Sequence, residues 1–325
     1  MKRIISLFII LATLFLLMCS CSLLPESMQF CKVKFYVDDE LFETKTVAFG
    51  QTVNIPQIPH KTNEVFIGWG TGGDLAYYYD FSSKVSTDID LYAYFVIDAV
   101  AMTNMVMKDT IKSIVTVENK CYNTLGGSLV EAGSNISQGS GVVVEISDGY
   151  CYVLTNYHVI DNDKGYSRQA FTVEDAWGNK YEAQIYKNYK KSVYAKSEDY
   201  DLALLCFKYT KTGKNDLEAL AFGSDPQKAD YIASLGTPGG LQNAITYGQV
   251  YDYQKVNTSE DEALQKITFD VVIHNAPLNH GSSGGAIINT KGELVGINFA
   301  GYDDGKYGCA IPISKVIEFM NTFVY

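Results

Sequence analysis

The chain has 325 residues, 47% hydrophobic and 19% charged, which is the composition of a folded protein with room for about two domains. Its net charge is −11, and no block of Lys or Arg stands outside the first residues. Nucleic acid is therefore not an expected partner, since affinity for it rests on neutralised phosphates.

The chain opens on MKRIISLFIILATLFLLMCSCS, a basic start followed by an apolar run from Ile4 to Met18 broken only by Ser6 and Thr13. That pattern reads as a secretory signal over residues 1–20, and the run is short for a membrane span. An uncleaved N-terminal anchor is the alternative. Cys19 and Cys21 at its end resemble a bacterial lipobox, with Cys21 favoured because Ser20 precedes it and Cys19 the other candidate. The resemblance implies an extracytoplasmic protein, lipid-anchored to the cell membrane of a Gram-positive-type bacterium and exposed at its surface. Residues 21–30 would be a tether. The other five cysteines (Cys31, Cys121, Cys151, Cys206 and Cys309) are scattered with no CxxC spacing. Neither a zinc site nor a disulfide framework is expected, and the thiols read as small buried hydrophobes.

Residues 31–97 carry strand patterning. Val33, Phe35 and Val37 alternate, as do Leu91, Ala93 and Phe95, and DDE at Asp38–Glu40 is a turn signal. The opening VKFYVDD, Gly50–Val53, Pro56, Pro59, FIGW at Phe66–Trp69 and Tyr79–Phe95 together resemble one InlB B-repeat, also called a Listeria–Bacteroides repeat. The resemblance implies a small β-rich, β-grasp-like module, with Trp69 and Phe66 in its core and a surface partner as its plausible ligand.

Residues 98–325 begin with helical spacing in AVAMTNMVMKDTIKSIV and continue as many short apolar runs between Gly, Asn and Asp. Such a series predicts an all-β sandwich or barrel. The end, ISKVIEFMNTF, reads as a helix with Val316, Ile317 and Met320 on its apolar face.

Three residues in this region carry chemistry. A serine hydroxyl needs a base, and histidine is the usual one because it titrates near neutrality. An imidazole acting as base needs a carboxylate to fix its tautomer. His158 ends the run CYVLTNYH, Asp201 opens the apolar run DLALLCF, and Ser283 lies in HGSSGGAII. Each alone has an ordinary explanation, as a core histidine, a turn carboxylate or a glycine turn. The order His, Asp, Ser is that of the chymotrypsin-like double β-barrel.

The segments QGSGVVVE, LTNYHVI, DLALLCF, SLGTPGG, ITYGQV and NAPLNHGSSGGAIINTKGELVGIN follow one another over residues 138–298 and resemble the protease domain of the HtrA/DegP family. The resemblance implies a serine endopeptidase with Ser283 as nucleophile, His158 as general base and Asp201 orienting it. The N–H groups of Gly281 and Ser283 would form the oxyanion hole. Ala276, Pro277 and Leu278 before the nucleophile, with Asn298, Phe299 and Ala300 on the strand after it, would form the pocket for the residue preceding the cut. That pocket lacks a carboxylate and should favour small or medium aliphatic residues. Protein or peptide substrates are expected, with no cofactor and no metal. His280 stands where the family has Pro, and Ser282 where it often has Asn; His280 and His274 both read as structural. The PDZ domain that usually follows is not expected in this chain. The alternative is a surface-binding lipoprotein whose protease scaffold is catalytically silent or latent.

Overall fold

The computed structural model describes residues 29–72, 78–124, 131–162, 164–237, 244–256, 265–302 and 306–325. The signal segment with Cys19 and Cys21, most of the tether, and Pro238–Gly240 lie outside the described residues. The chain divides into two compact units, Met1–Val96 and Ile97–Tyr325.

The first unit is a four-stranded mixed sheet. Strands β1 (Phe30–Val37), β2 (Glu40–Ala48), β3 (Glu64–Gly70) and β4 (Ile89–Ile97) lie in the order β2-β1-β4-β3. β1 and β2 form a hairpin whose two loop residues, Asp38 and Asp39, have φ of 51° and 62°. Positive φ at both centres is the turn that matches strand twist, and aspartate tolerates it. The alternation puts Val33 and Phe35 inside, where they join Leu91, Val53, Val85 and Trp69. Trp69 is buried, and its ring meets Phe35 edge-on at 5.0 Å between centroids.

The second unit opens with helix α1 (Ala99–Lys108), capped by the Asp98 carboxylate on Ala101 N–H at 2.9 Å. Two closed six-stranded barrels follow. The first uses β5 (Ile114–Thr124), β6 (Glu131–Ser147), β7 (Tyr150–Thr155), β8 (Arg168–Glu174), β9 (Lys180–Ile185) and β13 (Leu202–Lys208). A four-residue helical turn, α2 (Tyr157–Ile160), follows β7, and the short strands β10 (Lys187–Asn188), β11 (Val193–Tyr194) and β12 (Lys196–Ser197) precede β13. The barrel runs β13-β7-β6-β5-β8-β9 and closes by pairing β9 with β13. The second uses β14 (Tyr231–Gly236), β15 (Ala244–Gln254), β16 (Val271–His274), β17 (Ala286–Asn289), β18 (Leu294–Tyr302) and β19 (Tyr307–Pro312). It runs β14-β15-β16-β19-β18-β17 and closes by pairing β17 with β14. Both barrels thus have one topology: three strands in a meander, with the sixth pairing the third. Closure removes the open edges that would invite aggregation.

Strand β13 shows why its sequence is apolar without alternation. Leu202 to Phe207 are all buried. Ala203, Leu205 and Phe207 face the first barrel's interior with Val117 and Val153. Leu202 and Leu204 face the other way, into a core shared with Leu235 and Ile288 of the second barrel. A strand covered on both faces reads as a continuous hydrophobic run. The C-terminal helix α3 (Ile313–Phe323) packs on that shared core through Ile313, Val316, Phe319 and Met320. Ile317, expected on its apolar face, is 39% exposed. Positions 313, 316 and 320 set the stripe, and 317 is rotated about 100° from 316, whereas Phe319 lies within it. None of the five described cysteines is in a disulfide, and all are buried.

The shared core is what holds the barrels together, so cutting into it should cost the whole unit. Leu204→Ala is expected to lower stability by about 2–5 kcal/mol, the range for a buried leucine that leaves a cavity. Urea unfolding followed by circular dichroism measures it. A loss below about 1 kcal/mol would mean that the interface collapses around the gap.

Candidate active site

The site is assembled from three loops at the ends of strands. β7 delivers α2, and with it His158. The mouth of β13 delivers Asp201. The tight loop between β16 and β17 delivers Ser283. His158 and Ser283 line one pocket of about 440 Å³.

Asp201 is buried and makes a two-point contact with His158. Its Oδ1 accepts the His158 backbone N–H at 2.9 Å, and its Oδ2 lies 2.8 Å from the ring Nδ1. A carboxylate taken from water is costly unless its lone pairs are filled, and here they are filled by the residue it faces. The acceptor at Nδ1 places the ring proton there and leaves Nε2 as the basic nitrogen. The His158 side chain is 38% exposed, against 8% for Asp201, so the base can be reached from the pocket while its orienter cannot. Asp199, two residues away, is exposed.

The nucleophile loop is built from main-chain geometry. Gly281 has φ +95° and Gly284 has φ +82°, both in the region that side chains rarely adopt. A Cβ on Gly284 would also lie 2.1 Å from the Ser140 carbonyl oxygen. Ser282 N–H donates to Asn279 O at 3.0 Å, and Gly285 N–H donates to Ser282 O at 2.9 Å. Because a peptide is planar and trans, holding Ser282 C=O sends Ser283 N–H the opposite way. Among the described residues neither Gly281 N–H nor Ser283 N–H takes a protein acceptor. The two serines differ. Ser282 Oγ accepts Asn279 N–H at 3.2 Å within the loop, while Ser283 Oγ donates to Phe299 O at 3.3 Å on the pocket wall. The latter is long for a hydroxyl bond and so weak.

The wall holds Leu278, Asn298, Phe299 and Ala300, together with Asn279, His280 and Gly301. Pro277 is corrected. It is exposed and off the wall, and its carbonyl accepts Thr246 Oγ1 at 2.9 Å. Ala276 packs inside the second barrel. The chain rises out of the barrel through these two residues and turns toward the pocket only at Leu278. His280, read from the sequence as structural, is exposed and lines the pocket. Its place one residue before Gly281 was the available signal.

His274 is fully buried at the end of β16. Its Nε2 donates to Asn298 Oδ1 at 3.1 Å, and Asn298 Nδ2 donates to Ser234 Oγ at 2.8 Å. Burial outweighs the opposing Asn298 bond and pushes His274 down to about 4.

Two closed barrels of one topology, with a His–Asp pair and a serine on a glycine loop converging on one pocket, define a double-barrel hydrolase architecture. Residues 139–297 match the trypsin-like peptidase domain family, and residues 32–94 match the Listeria-Bacteroides repeat domain family. The chain is 32% identical over 184 residues to serine protease HTRA1 of Xenopus laevis, covering 57% of this chain and 36% of that protein. It is 30% identical over 187 residues to serine protease HTRA4 of Mus musculus, covering 58% and 34%. The aligned part thus spans little more than a third of these relatives. The fold is similar to that of the Rv3671c protease from M. tuberculosis in its active form, with a TM-score of 0.51, 20% identity, and coverage of 70% of this chain and 87% of that one. The second unit thus carries the match to the trypsin-like peptidase domain family and the likeness to the HtrA serine proteases, and the first unit carries the match to the Listeria-Bacteroides repeat.

The buried imidazole gives the fold an acid-side weakness. His274 titrates near 4 when folded and about 6.5 when unfolded, so between these values the unfolded chain binds more protons. Its contribution is complete above about pH 6.5, shrinks as pH falls, and by about pH 4 has lost on the order of 3 kcal/mol. His274→Gln should flatten the stability profile across this window relative to wild type, measured by urea midpoints at pH 4.5 and 7. Parallel profiles would refute it.

Proposed function

We propose that the protein is a serine endopeptidase, cutting peptide bonds of protein or peptide substrates through an acyl-enzyme. The observation that carries this reading is the two-point contact of Asp201 with His158 at a pocket that Ser283 shares. His158 Nε2 takes the Ser283 proton as Oγ attacks the carbonyl carbon. The negative charge that forms on the carbonyl oxygen is met by the N–H groups of Gly281 and Ser283, aimed before the reaction begins. The imidazolium, held against Asp201, gives its proton to the departing amine. Water then repeats the sequence on the ester and frees Ser283.

The Ser283–Phe299 bond favours a second reading, a resting state in which the serine hydroxyl is turned from the base. One long hydroxyl bond is easily exchanged, so substrate binding can reverse it. A serine-directed phosphonate tests both readings. Wild type should label, Ser282→Ala should label nearly as well, and Ser283→Ala should not, with peptidase activity down on the order of 10⁴-fold or more. Labelling of Ser283→Ala at the wild-type rate would overturn the assignment. Absence of labelling in wild type would favour the silent scaffold.

The pocket wall contains no carboxylate among its described residues, and Leu278 and Ala300 give it apolar surface. Valine, alanine or isoleucine should therefore precede the cut. Peptide-library profiling checks this, and a dominant Arg or Lys preference would reject the pocket assignment.

We further propose that residues 1–20 direct export and that Cys21, or Cys19, carries the lipid that holds the protein at the cell surface. The repeat module would place the peptidase or bind a surface partner. The basic-then-apolar start and the paired cysteines support the export and anchoring reading. Mass spectrometry of the mature N-terminus should find an acylated cysteine. A cleaved chain with an unmodified one would make the protein freely secreted.

A further inference from the structure

Asn156 immediately precedes α2, two residues before His158, and three features of it are out of the ordinary. It occupies the helix N-cap position with extended backbone, φ −78° and ψ 152°, yet its side chain makes no capping bond. Asparagine at that position normally caps. It is fully buried, and its Oδ1 has no hydrogen-bond partner among the described residues. A buried unsatisfied oxygen is a standing cost that calls for a reason. What the side chain does instead is donate from Nδ2 to the backbone carbonyl of Asp201 at 2.9 Å. The third feature lies at the other end of that bond. Asp201 has φ +47°, the left-handed region, which a residue with a side chain adopts uncommonly, and here it opens no hairpin.

We infer that Asn156 is a positioning residue that holds Asp201 in this backbone conformation, and so sets the carboxylate against His158. The argument is geometric. Asp201 N–H donates to Glu198 O at 3.0 Å, which fixes the residue on its N-terminal side. The Asn156 amide fixes its carbonyl on the other side. With both peptide groups held, the Cα–Cβ direction is set, and only then do Oδ1 and Oδ2 reach His158 N–H and Nδ1 together. Remove the amide, and Asp201 is free to relax to negative φ, which swings the carboxylate away from the ring. The same segment that carries His158 thus carries the donor that places its partner. Residues that hold strained backbone cluster at functional sites because the surroundings must over-determine the strain. The inference deepens the serine endopeptidase reading and rests on it for its kinetic consequences alone.

The test uses the full chain. Asn156→Leu keeps similar volume, removes the donor and removes the unpaired oxygen. A side chain that only filled space would tolerate it or gain stability. We expect kcat on a short peptide amide to fall on the order of 10²-fold with KM nearly unchanged, the signature of misplaced catalytic groups. The proton resonance of His158 Nδ1 should lose its downfield position while the melting midpoint holds. In an Asp201→Asn background the same substitution should cost less than about threefold more, since both changes break one unit. If Asn156→Leu does not fold, Asn156→Ser, which is too short to reach the Asp201 carbonyl, takes the same measurements. A folded variant with an unmoved resonance, a wild-type kcat, or a full multiplicative loss in the Asp201→Asn background overturns the inference. Should the wild type cleave nothing, the endopeptidase reading fails, while the Nδ1 resonance still decides whether Asn156 places Asp201.

Discussion

One hydroxyl group joins the barrels at the site. Ser140, on β6 of the first barrel, is fully buried against the nucleophile loop of the second. Its Oγ donates to Gly281 O at 2.6 Å and accepts Thr237 N–H at 2.8 Å. Its own N–H donates to Ser283 O at 2.7 Å, and its carbonyl accepts Thr155 Oγ1 at 2.7 Å. A loop of glycines has no side chains with which to hold itself, and its conformational entropy must be met from outside. Ser140 meets it on both sides of Ser283. The demand for Gly284 follows directly, since the Ser140 carbonyl occupies the space a side chain would need. The arrangement exists only where the two barrels meet, so the core shared by Leu204, Leu235 and Ile288 is a precondition of the chemistry as well as of the fold.

Much of this was readable from the chain. The continuous burial of β13 was written in DLALLCF, and the hairpin at Asp38–Asp39 in DDE, because both follow from local pattern and local backbone preference. His158, Asp201 and Ser283 were found as motifs in order, and they lie together. What failed was whatever depends on the path of the chain in space. Pro277 adjoins Leu278 in sequence, but the chain has not yet cleared the barrel there. Ile317 belongs to an apolar run, yet a hundred degrees of helix rotation leaves it in solvent. Asn156 and Ser140 were inside quoted segments and were still silent. Their roles are bonds to Asp201, 45 positions on, and to Gly281, 141 positions on, and no local pattern encodes those.

The repeat module illustrates the opposite case, in which local pattern is nearly the whole story. Most of its core residues come from strands, with Val53 and Val85 added from loops, and Phe35, Trp69 and Leu91 lie in the same core. Phe66 meets Trp69 edge-on at 5.5 Å between centroids. A unit that closes its own core needs nothing from elsewhere to be stable, and its aromatic pairs supply more than their area alone. Strand alternation therefore found Val33, Phe35 and Leu91 of this core without any knowledge of topology, while Val53 and Val85, which lie on loops, carried no such pattern.

In the second unit the buried side-chain atoms without a partner among the described residues are Asn156 Oδ1 and His274 Nδ1. Both sit beside the proposed machinery, one behind Asp201 and one behind Asn298 of the pocket wall. Every other buried side-chain nitrogen or oxygen among the described residues of that unit has at least one partner. Asp175, for example, accepts from Trp177 N–H, Asn179 N–H, Asn179 Nδ2 and Tyr181 Oη. A fold that satisfies its polar groups so thoroughly at a turn, and leaves them open beside one pocket, is not short of partners in general. The open atoms belong to side chains whose other polar atom is committed, Nδ2 to the Asp201 carbonyl and Nε2 to the Asn298 amide. Each side chain leaves one polar atom open while its other atom bonds a residue at the site, Asp201 behind His158 in one case and Asn298 of the pocket wall in the other. Local departures from good packing chemistry are expected where function sets the geometry, and here they mark the same pocket that the His–Asp pair and the glycine loop mark independently.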